Sequence, residues 1–271
     1  MTDDVDPLPA GGPTSRDLPP PAVALIVVAH PDDAEFQAGA TLAKWARSGC
    51  EVHHLVLTDG SKGTWDQDLD PRALVEDRRA EQRAASAALG GTAVHFLDLV
   101  DGELTADVDG RGRVARVMRE VRPDVVLGHD PWKRYRLHPD HRAAGQLCID
   151  GIVAARDPGF HPELLVDDLV PHRPQALLLF EPDVANHAES VDEVDHDTRL
   201  RALESFASQI ATTHLYKLDD ATDDESDADG PNDGPGALQR WRALEHRRLA
   251  VAGRWAGAPL AEPFRLIVDQ L

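Results

Sequence analysis

Apolar positions in this chain fall in short unbroken runs. Between the runs they recur every three or four residues. The first run is Ala22-Val23-Ala24-Leu25-Ile26-Val27-Val28. Its length and β-branched content read as the central strand of a parallel sheet, buried on both faces. From 34 to 48 the spacing turns helical, with Phe36, Ala40, Ala43 and Trp45 set among polar residues. The alternation then repeats. Strands are predicted over 51–57, 94–97, 124–128, 176–180 and 264–268, with 189–191 as a short edge strand. One helix is predicted over 71–89, with Pro71 in its first turn and Gly90-Gly91 at its stop. Others are predicted over 113–121, 140–155, 198–215 and 238–253. Strands alternating with helices predict an α/β fold, a Rossmann-like three-layer α/β/α arrangement with a mostly parallel sheet.

Two segments lack this pattern. Residues 1–21 are acidic and proline-rich, without the basic start and apolar centre of a signal peptide, and read as a disordered leader. Residues 219–236 are acidic, with Gly, Pro and Ser and almost nothing apolar, and read as a disordered insert. The expected organisation is therefore one catalytic-sized domain over 22–271, within the reach of a single core at 271 residues. Lysine and arginine number 28 against 48 aspartates and glutamates, a net charge of −20, which argues against a nucleic-acid backbone binder. No apolar run approaches the ~20 residues of a membrane span. Cys50 and Cys148 are the only cysteines, too few for a disulfide framework, so a reducing, cytoplasmic setting is expected.

The chemistry gathers at two clusters. His30-Pro31-Asp32-Asp33 stops the first strand, and His138-Pro139-Asp140-His141 follows the strand at 124–128. Both fall at the carboxyl edge of the sheet, where open α/β sheets bind ligands. Pro31 fixes the turn, and Asp32 or Asp33 is expected to cap the following helix. The first strand leads into neither GxGxxG nor GxxxxGK[ST], so a dinucleotide or ATP cofactor is not expected. Imidazole and carboxylate together suit Zn²⁺ or a similar first-row divalent ion. Two histidines and one aspartate would complete a catalytic site with one open position. The remaining carboxylate and histidine would then be free for proton transfer and oxyanion stabilisation, a kit for metal-assisted hydrolysis of an amide or ester. Singly, these residues read as helix caps and solvated histidines. Two such clusters at matching strand ends favour a metal site. Spacing alone separates neither Asp32 from Asp33 nor His138 from His141.

Ala29 to Glu35, an AHPDDxE motif, taken with HPDH at 138–141, resembles the PIG-L/LmbE-like N-deacetylases. That family includes the deacetylases of mycothiol and bacillithiol biosynthesis and the GlcNAc-phosphatidylinositol deacetylase. The likeness runs from about Ala22 to Ser208-Gln209 and takes in Arg78 to Glu81 and Asp101-Gly102. It implies one Zn²⁺ per chain, with Fe²⁺ or Co²⁺ as substitutes, held by His30, Asp33 and His141. It implies Asp32 as the general base and His138 as the group that steadies the oxyanion and assists the leaving amine. The implied substrate is an N-acetylated amino sugar or a related small N-acyl compound, and family members often associate as homo-oligomers.

The chain departs from the family at several positions. Many members carry Tyr-Gly before HPDH; here Arg136-Leu137 stands there, with Tyr135 one residue earlier, and Phe206 replaces a histidine before Ser-Gln. Arg136, Tyr135 and Trp132, together with Lys62 of the 58–63 loop, are candidates for substrate contact. Asp130 is expected to orient a ligand histidine, and Glu35 to brace the loop. Two alternatives stand beside this reading: a metal-dependent phosphoesterase using the cationic loop, and a non-catalytic sugar-binding relative.

Overall fold

A computed structural model describes residues 8–166, 168–210, 212, 235–269 and 271. In chain order the elements are β1 (Ser15–Arg16), β2 (Val23–Val28), α1 (Asp33–Arg47), β3 (Glu51–Thr58), α2 (Pro71–Leu89), β4 (Ala93–Leu99), α3 (Val108–Val121) and β5 (Val125–His129). There follow α4 (Pro139–Arg156), α5 (Glu163–Val166), β6 (Ala176–Phe180), β7 (His187–Val191), α6 (Glu193–Leu203), a 3₁₀ turn (Ala207–Gln209), α7 (Pro235–Ala256) and β8 (Leu260–Ile267). The strands share one sheet in the order β1-β7-β8-β6-β5-β2-β3-β4. Every pairing is parallel except those of β8, which runs antiparallel to β6 and to β7. The predicted mostly parallel α/β sheet is therefore what the chain forms.

β2 lies at the heart of the sheet and sorts its side chains by alternation. Leu25 and Val27 enter one core with Leu55, Val126 and, from α3 and α4, Val114, Met118, Leu147 and Ile152. Ala24, Ile26 and Val28 enter the other with Leu42 and Trp45 of α1, Ala85 and Leu89 of α2, and Phe206. Burial of both faces explains why the strand is apolar throughout. α4 lies close against β5 because two glycines permit it. A Cβ on Gly145 would stand 2.6 Å from the His129 carbonyl oxygen, and one on Gly128 would stand 2.7 Å from Cys148 Sγ. This approach carries the start of α4, with its HPDH motif, to the end of β2.

Helix α1 is broken at Ala38, whose backbone leaves the helical region (φ −146°, ψ 15°). The interrupted groups are satisfied from outside. Arg199 of α6 donates to the Glu35 and Phe36 carbonyls at 3.0 and 2.9 Å. Glu262 of β8 accepts from the Ala40 and Thr41 N–H groups at 3.1 and 2.8 Å. The first turn of α1, carrying Asp33 and Glu35, is thereby set apart from the rest of the helix.

Several boundaries differ from expectation. The leader does not run to residue 21. Ser15 and Arg16 pair with His187 and Ala188, Asp17 accepts from Lys44 at 2.8 Å, and Leu18 N–H donates to Glu189. The reason is the charge these residues cover: His187 and Glu189 are fully buried beneath them. β7 is accordingly second from the edge, and β1 is the edge strand. α3 begins at Val108 rather than at 113, capped by Asp107, whose side chain accepts from Gly110 N–H at 2.8 Å. α6 begins at Glu193 behind an Asp192–Asp195 capping box and stops at Leu203. Residues 1–7, most of the acidic insert and the end of the helix predicted over 198–215 lie outside the described residues. Among the described residues, no helix is long and apolar enough to cross a membrane.

Candidate metal centre

β2 ends at Val28, and the chain turns through Ala29-His30-Pro31-Asp32 into α1. Asp32 takes a left-handed backbone (φ 95°), a region Asp enters more readily than most residues but at a cost of roughly 1–2 kcal/mol. It stands at the helix N-cap position yet makes no side-chain cap. Asp33 does not cap either: its Oδ2 accepts from His30 N–H at 2.8 Å. The expected cap is absent because the left-handed turn swings Asp32 away from the helix. Its backbone carbonyl instead accepts from Glu35 and Phe36 N–H at 3.1 Å. Both carboxylates therefore remain available at the strand end.

Helix α2 holds this turn in place. Arg78, 3% exposed, donates to the Pro31 carbonyl at 2.7 Å and to the Gly60 carbonyl at 3.0 Å, with Asp32 Oδ2 at 3.5 Å. A Cβ on Gly63 would lie 2.2 Å from the Arg78 guanidinium, so the loop is glycine-bearing where this arginine passes. Gln82 accepts from Asp32 N–H at 3.0 Å and donates to Glu35 at 2.8 Å. Glu35 is fully buried and accepts this bond beneath the turn. Burial raises the Asp32 pKa to about 7; the Arg78 charge opposes this and the neighbouring Asp33 adds to it.

His141, from the start of α4, meets His30 and Asp33 beside Asp32. His30 Nδ1 lies 3.2 Å from His141 Nε2 and 3.4 Å from Asp33 Oδ2, and His141 Nε2 lies 3.2 Å from Asp33 Oδ1. Burial pushes the His30 pKa down, but Asp101, Asp140 and Asp33 outweigh it and hold the ring well above its usual value. Burial would raise the Asp33 pKa, yet His141 and His129 hold it well below the carboxylate range. His138 caps α4 through Asp140 N–H and is exposed at the mouth, its ring 4.7 Å from that of His30 and 4.8 Å from that of His141.

The donor set fits a divalent ion. His30 Nδ1 and His141 Nε2 stand 3.2 Å apart, close to one edge of a tetrahedron with bonds of about 2.0–2.1 Å, the length of bonds to zinc, and each faces a different oxygen of Asp33, at 3.4 and 3.2 Å. Other neighbours also offer ligand-type atoms within 4.8 Å of one another: His30 with His138 and His141, Asp33 with His129 and His141, and His30 with Asp101 and Asp140.

Five residues at the centre were given no role in the site by sequence, although Arg78 and Asp101 fell within the family likeness and Asp140 within HPDH. Asp101 and Asp140 each lie 3.2 Å from His30 Nε2, on the side away from His141. Asp140 is anchored by Gly102 and Leu104 N–H at 2.6 and 3.2 Å. Metal-binding histidines are oriented by such carboxylates. His129, fully buried with its pKa pushed down to about 3, chiefly by burial, sits 3.4 Å from Asp33 Oδ2. It occupies the supporting position expected of Asp130. Asp130 instead accepts from Trp132 N–H at 2.9 Å, turning back into its own loop. Arg78 and Gln82 complete the five. The signals were present in the Asp101-Gly102 turn and in the inner aspartate of HPDH, but strand ends give no partner list.

The substrate candidates separate. Tyr135 and Arg136 line a cavity of about 600 Å³ that opens onto Asp32, Asp33, His138 and His141; Lys62 and Trp132 do not. Lys62 pairs with Glu103 at 3.1 Å, Trp132 is 67% exposed, and Tyr135 is 86% exposed on a left-handed turn. Arg136 pairs with Glu181 and touches His141 Nδ1.

Comparison with known proteins agrees with this architecture. Residues 25–152 match the PIG-L family model, described as GlcNAc-PI de-N-acetylase. The diacetylchitobiose deacetylase of Thermococcus kodakarensis is 36% identical over 186 residues, covering 69% of each chain. The 4-oxalmesaconate hydratase of Pseudomonas putida is 31% identical over 208 residues, 73% of this chain and 77% of that one. The solved N,N'-diacetylchitobiose deacetylase of Pyrococcus horikoshii superposes with a TM-score of 0.78 at 25% identity, over 92% of this chain and 84% of that one. With its HPDD and HPDH motifs facing each other across the sheet edge, this chain belongs to the PIG-L family.

Proposed function

We propose that this protein is a metal-dependent N-deacetylase of an N-acetylated amino sugar or a related small N-acyl compound. His30, Asp33 and His141 would hold the ion, as the family resemblance implies and as their mutual separations of 3.2–3.4 Å support. That convergence is the observation that carries the reading. A bound divalent ion supplies Lewis acidity, acidifying water and polarising an amide carbonyl.

The chain's own groups would do the rest. Asp32, held by Arg78 and made more basic by burial, accepts a proton from the attacking water. His138, exposed at the mouth, donates toward the developing oxyanion and then supplies a proton to the departing amine. Asp101 and Asp140 keep His30 turned toward the ion. Glu35 and Gln82 fix the Asp32 backbone.

Amine release from N-acetylglucosamine conjugates, with metal content measured on the same sample, tests the reading. Asp32→Ala should retain bound metal and lose about 10²–10⁴-fold in turnover. Full turnover in that variant would remove Asp32 from the role of base. The Pseudomonas relative motivates a second reading, in which the same residues add water across a carbon–carbon double bond. Loss of enoate absorbance without amine release from any N-acetyl compound would select it.

A further inference from the structure

The sheet carries a second pairing of metal-binding side chains, away from the centre described above. His53 and His95 sit near the amino ends of β3 and β4, whereas the metal centre lies at the carboxyl edge. Register sets His53 beside Ala93 and Leu55 beside His95, so alternation places both imidazoles on one face as diagonal neighbours. Leu55 and Leu97, two residues on along each strand, reach the core on that face. β4 is the last strand of the sheet, with β3 as its one neighbour.

The two rings stack at 18° with centroids 5.6 Å apart, and His53 Nδ1 stands 3.3 Å from His95 Nε2. That separation is close to one edge of a tetrahedron with bonds of about 2.0–2.1 Å, the length of a zinc–imidazole bond. Burial, more than any neighbour, pushes both pKa values below the ordinary histidine value, so both rings are uncharged at neutral pH. Uncharged imidazole is the form that binds metal, and a change of tautomer turns both lone pairs to the gap. Carboxylates stand at the rim. Glu51 Oε2 lies 3.9 Å from His53 Nε2, too far for a hydrogen bond, and its side chain is exposed. Glu120 of α3 reaches His95 by its charge, with Arg116 at 3.9 Å. Both imidazoles are half-buried, so an ion can enter without the sheet opening.

We infer that His53 and His95 form a second divalent-ion site, for a first-row ion that prefers imidazole, such as Zn²⁺ or Ni²⁺, held through His53 Nδ1 and His95 Nε2, with Glu51, Glu120 and water as the groups able to fill the remaining positions. A bound ion ties β4 to β3 and so reinforces the ladder at an edge of the sheet. The site stands or falls whatever reaction the carboxyl edge performs.

Equilibrium dialysis of the full-length protein against Zn²⁺, with metal counted per chain, tests the assignment. The chain should hold one ion more than the centre at His30, Asp33 and His141 accounts for. His53→Gln and His95→Gln should each weaken that additional ion by roughly tenfold or more and leave the first in place. Zn²⁺ added beyond the first equivalent should raise the melting temperature of the natural chain and of neither variant. Glutamine can keep the hydrogen bond to its neighbour but is a poor ligand, so a lost ion is separated from a lost fold, and far-UV circular dichroism of each variant checks this. An unchanged zinc count in both variants, or a melting rise that survives in both, overturns the site and leaves His53 and His95 a hydrogen-bonded pair. Should a variant fail to fold, the natural chain decides. Zn²⁺ should protect His53 and His95 from modification by diethyl pyrocarbonate, read by peptide mass spectrometry, and modification that the ion leaves unchanged overturns the site equally.

Discussion

Arg78 donates to two backbone carbonyls and lies 3.5 Å from Asp32, so one substitution removes three contacts. Arg78→Met should destabilise the fold by about 3–5 kcal/mol, because the carbonyls and the carboxylate lose a buried partner. It should also lower turnover more than stability alone explains. Urea unfolding alongside the amine-release assay checks both, and Arg78→Lys should rescue little, since an ammonium cannot span the same fork of acceptors. A second residue gives a pH prediction. Burial, helped by Arg199 and His246, lowers the His196 pKa from 6.5 to about 4. Below pH 6.5 the unfolded chain therefore takes up a proton the folded one refuses. The stability from neutral His196 is full above 6.5 and is lost as pH falls toward 4, by roughly 2 kcal/mol. His196→Gln should flatten that part of the stability profile, and an unchanged slope would assign it to other groups. At this scale the sequence displayed the two clusters more plainly than the residues packed around them. The HPDD and HPDH motifs are contiguous and visible as text, whereas the choice of His129 over Asp130 depends on which way a strand end faces.

The broken helix α1 depends on two charged residues from elements far along the chain. Glu262 accepts two N–H groups that the break at Ala38 releases, and Arg199 takes two carbonyls. Glu262→Ala should cost about 2–4 kcal/mol, more than an ordinary cap, because the stranded donors are buried. Glu262→Gln, which can accept but carries no charge, should cost less; chemical denaturation of both variants checks the order. The break itself was invisible in the sequence, where 34–48 reads as one helix with even apolar spacing. Elsewhere the outcome followed local signals. α2 runs from Pro71 to Leu89 as its proline and paired glycines indicated. α3 was read too short because Gly110 and Gly112 weaken helix propensity. In the fold these glycines serve close packing: a Cβ on Gly110 would lie 3.0 Å from Leu147. α6 was read too late and too long because Leu200, Leu203 and Phe206 keep helical spacing across the helix end at Leu203.

Across the whole molecule, the net charge of −20 sets a background of self-repulsion. Raising ionic strength from low salt to about 0.15 M should raise the melting temperature, since screening relieves like-charge repulsion over distances beyond about 8 Å. A fall would mean that attractive pairs such as Lys44 with Glu189 and Asp17 dominate. The layer architecture was legible because β2 and its neighbours are apolar on both faces. The position of β8 was not, since an apolar strand carries no mark of its direction or its neighbours.

That position bears on how the protein can be made. β7 has only β1 and β8 as sheet neighbours, and β8 comes after every other strand in the chain. While a ribosome is still at work, β2 to β6 can assemble in sequence, but the β1–β7 pair has no seam to join until residue 267 has emerged. A nascent chain halted before residue 260 would therefore strand β1 and β7 at once, with buried His187 and Glu189 left open to water and a newborn sheet edge exposed at β6.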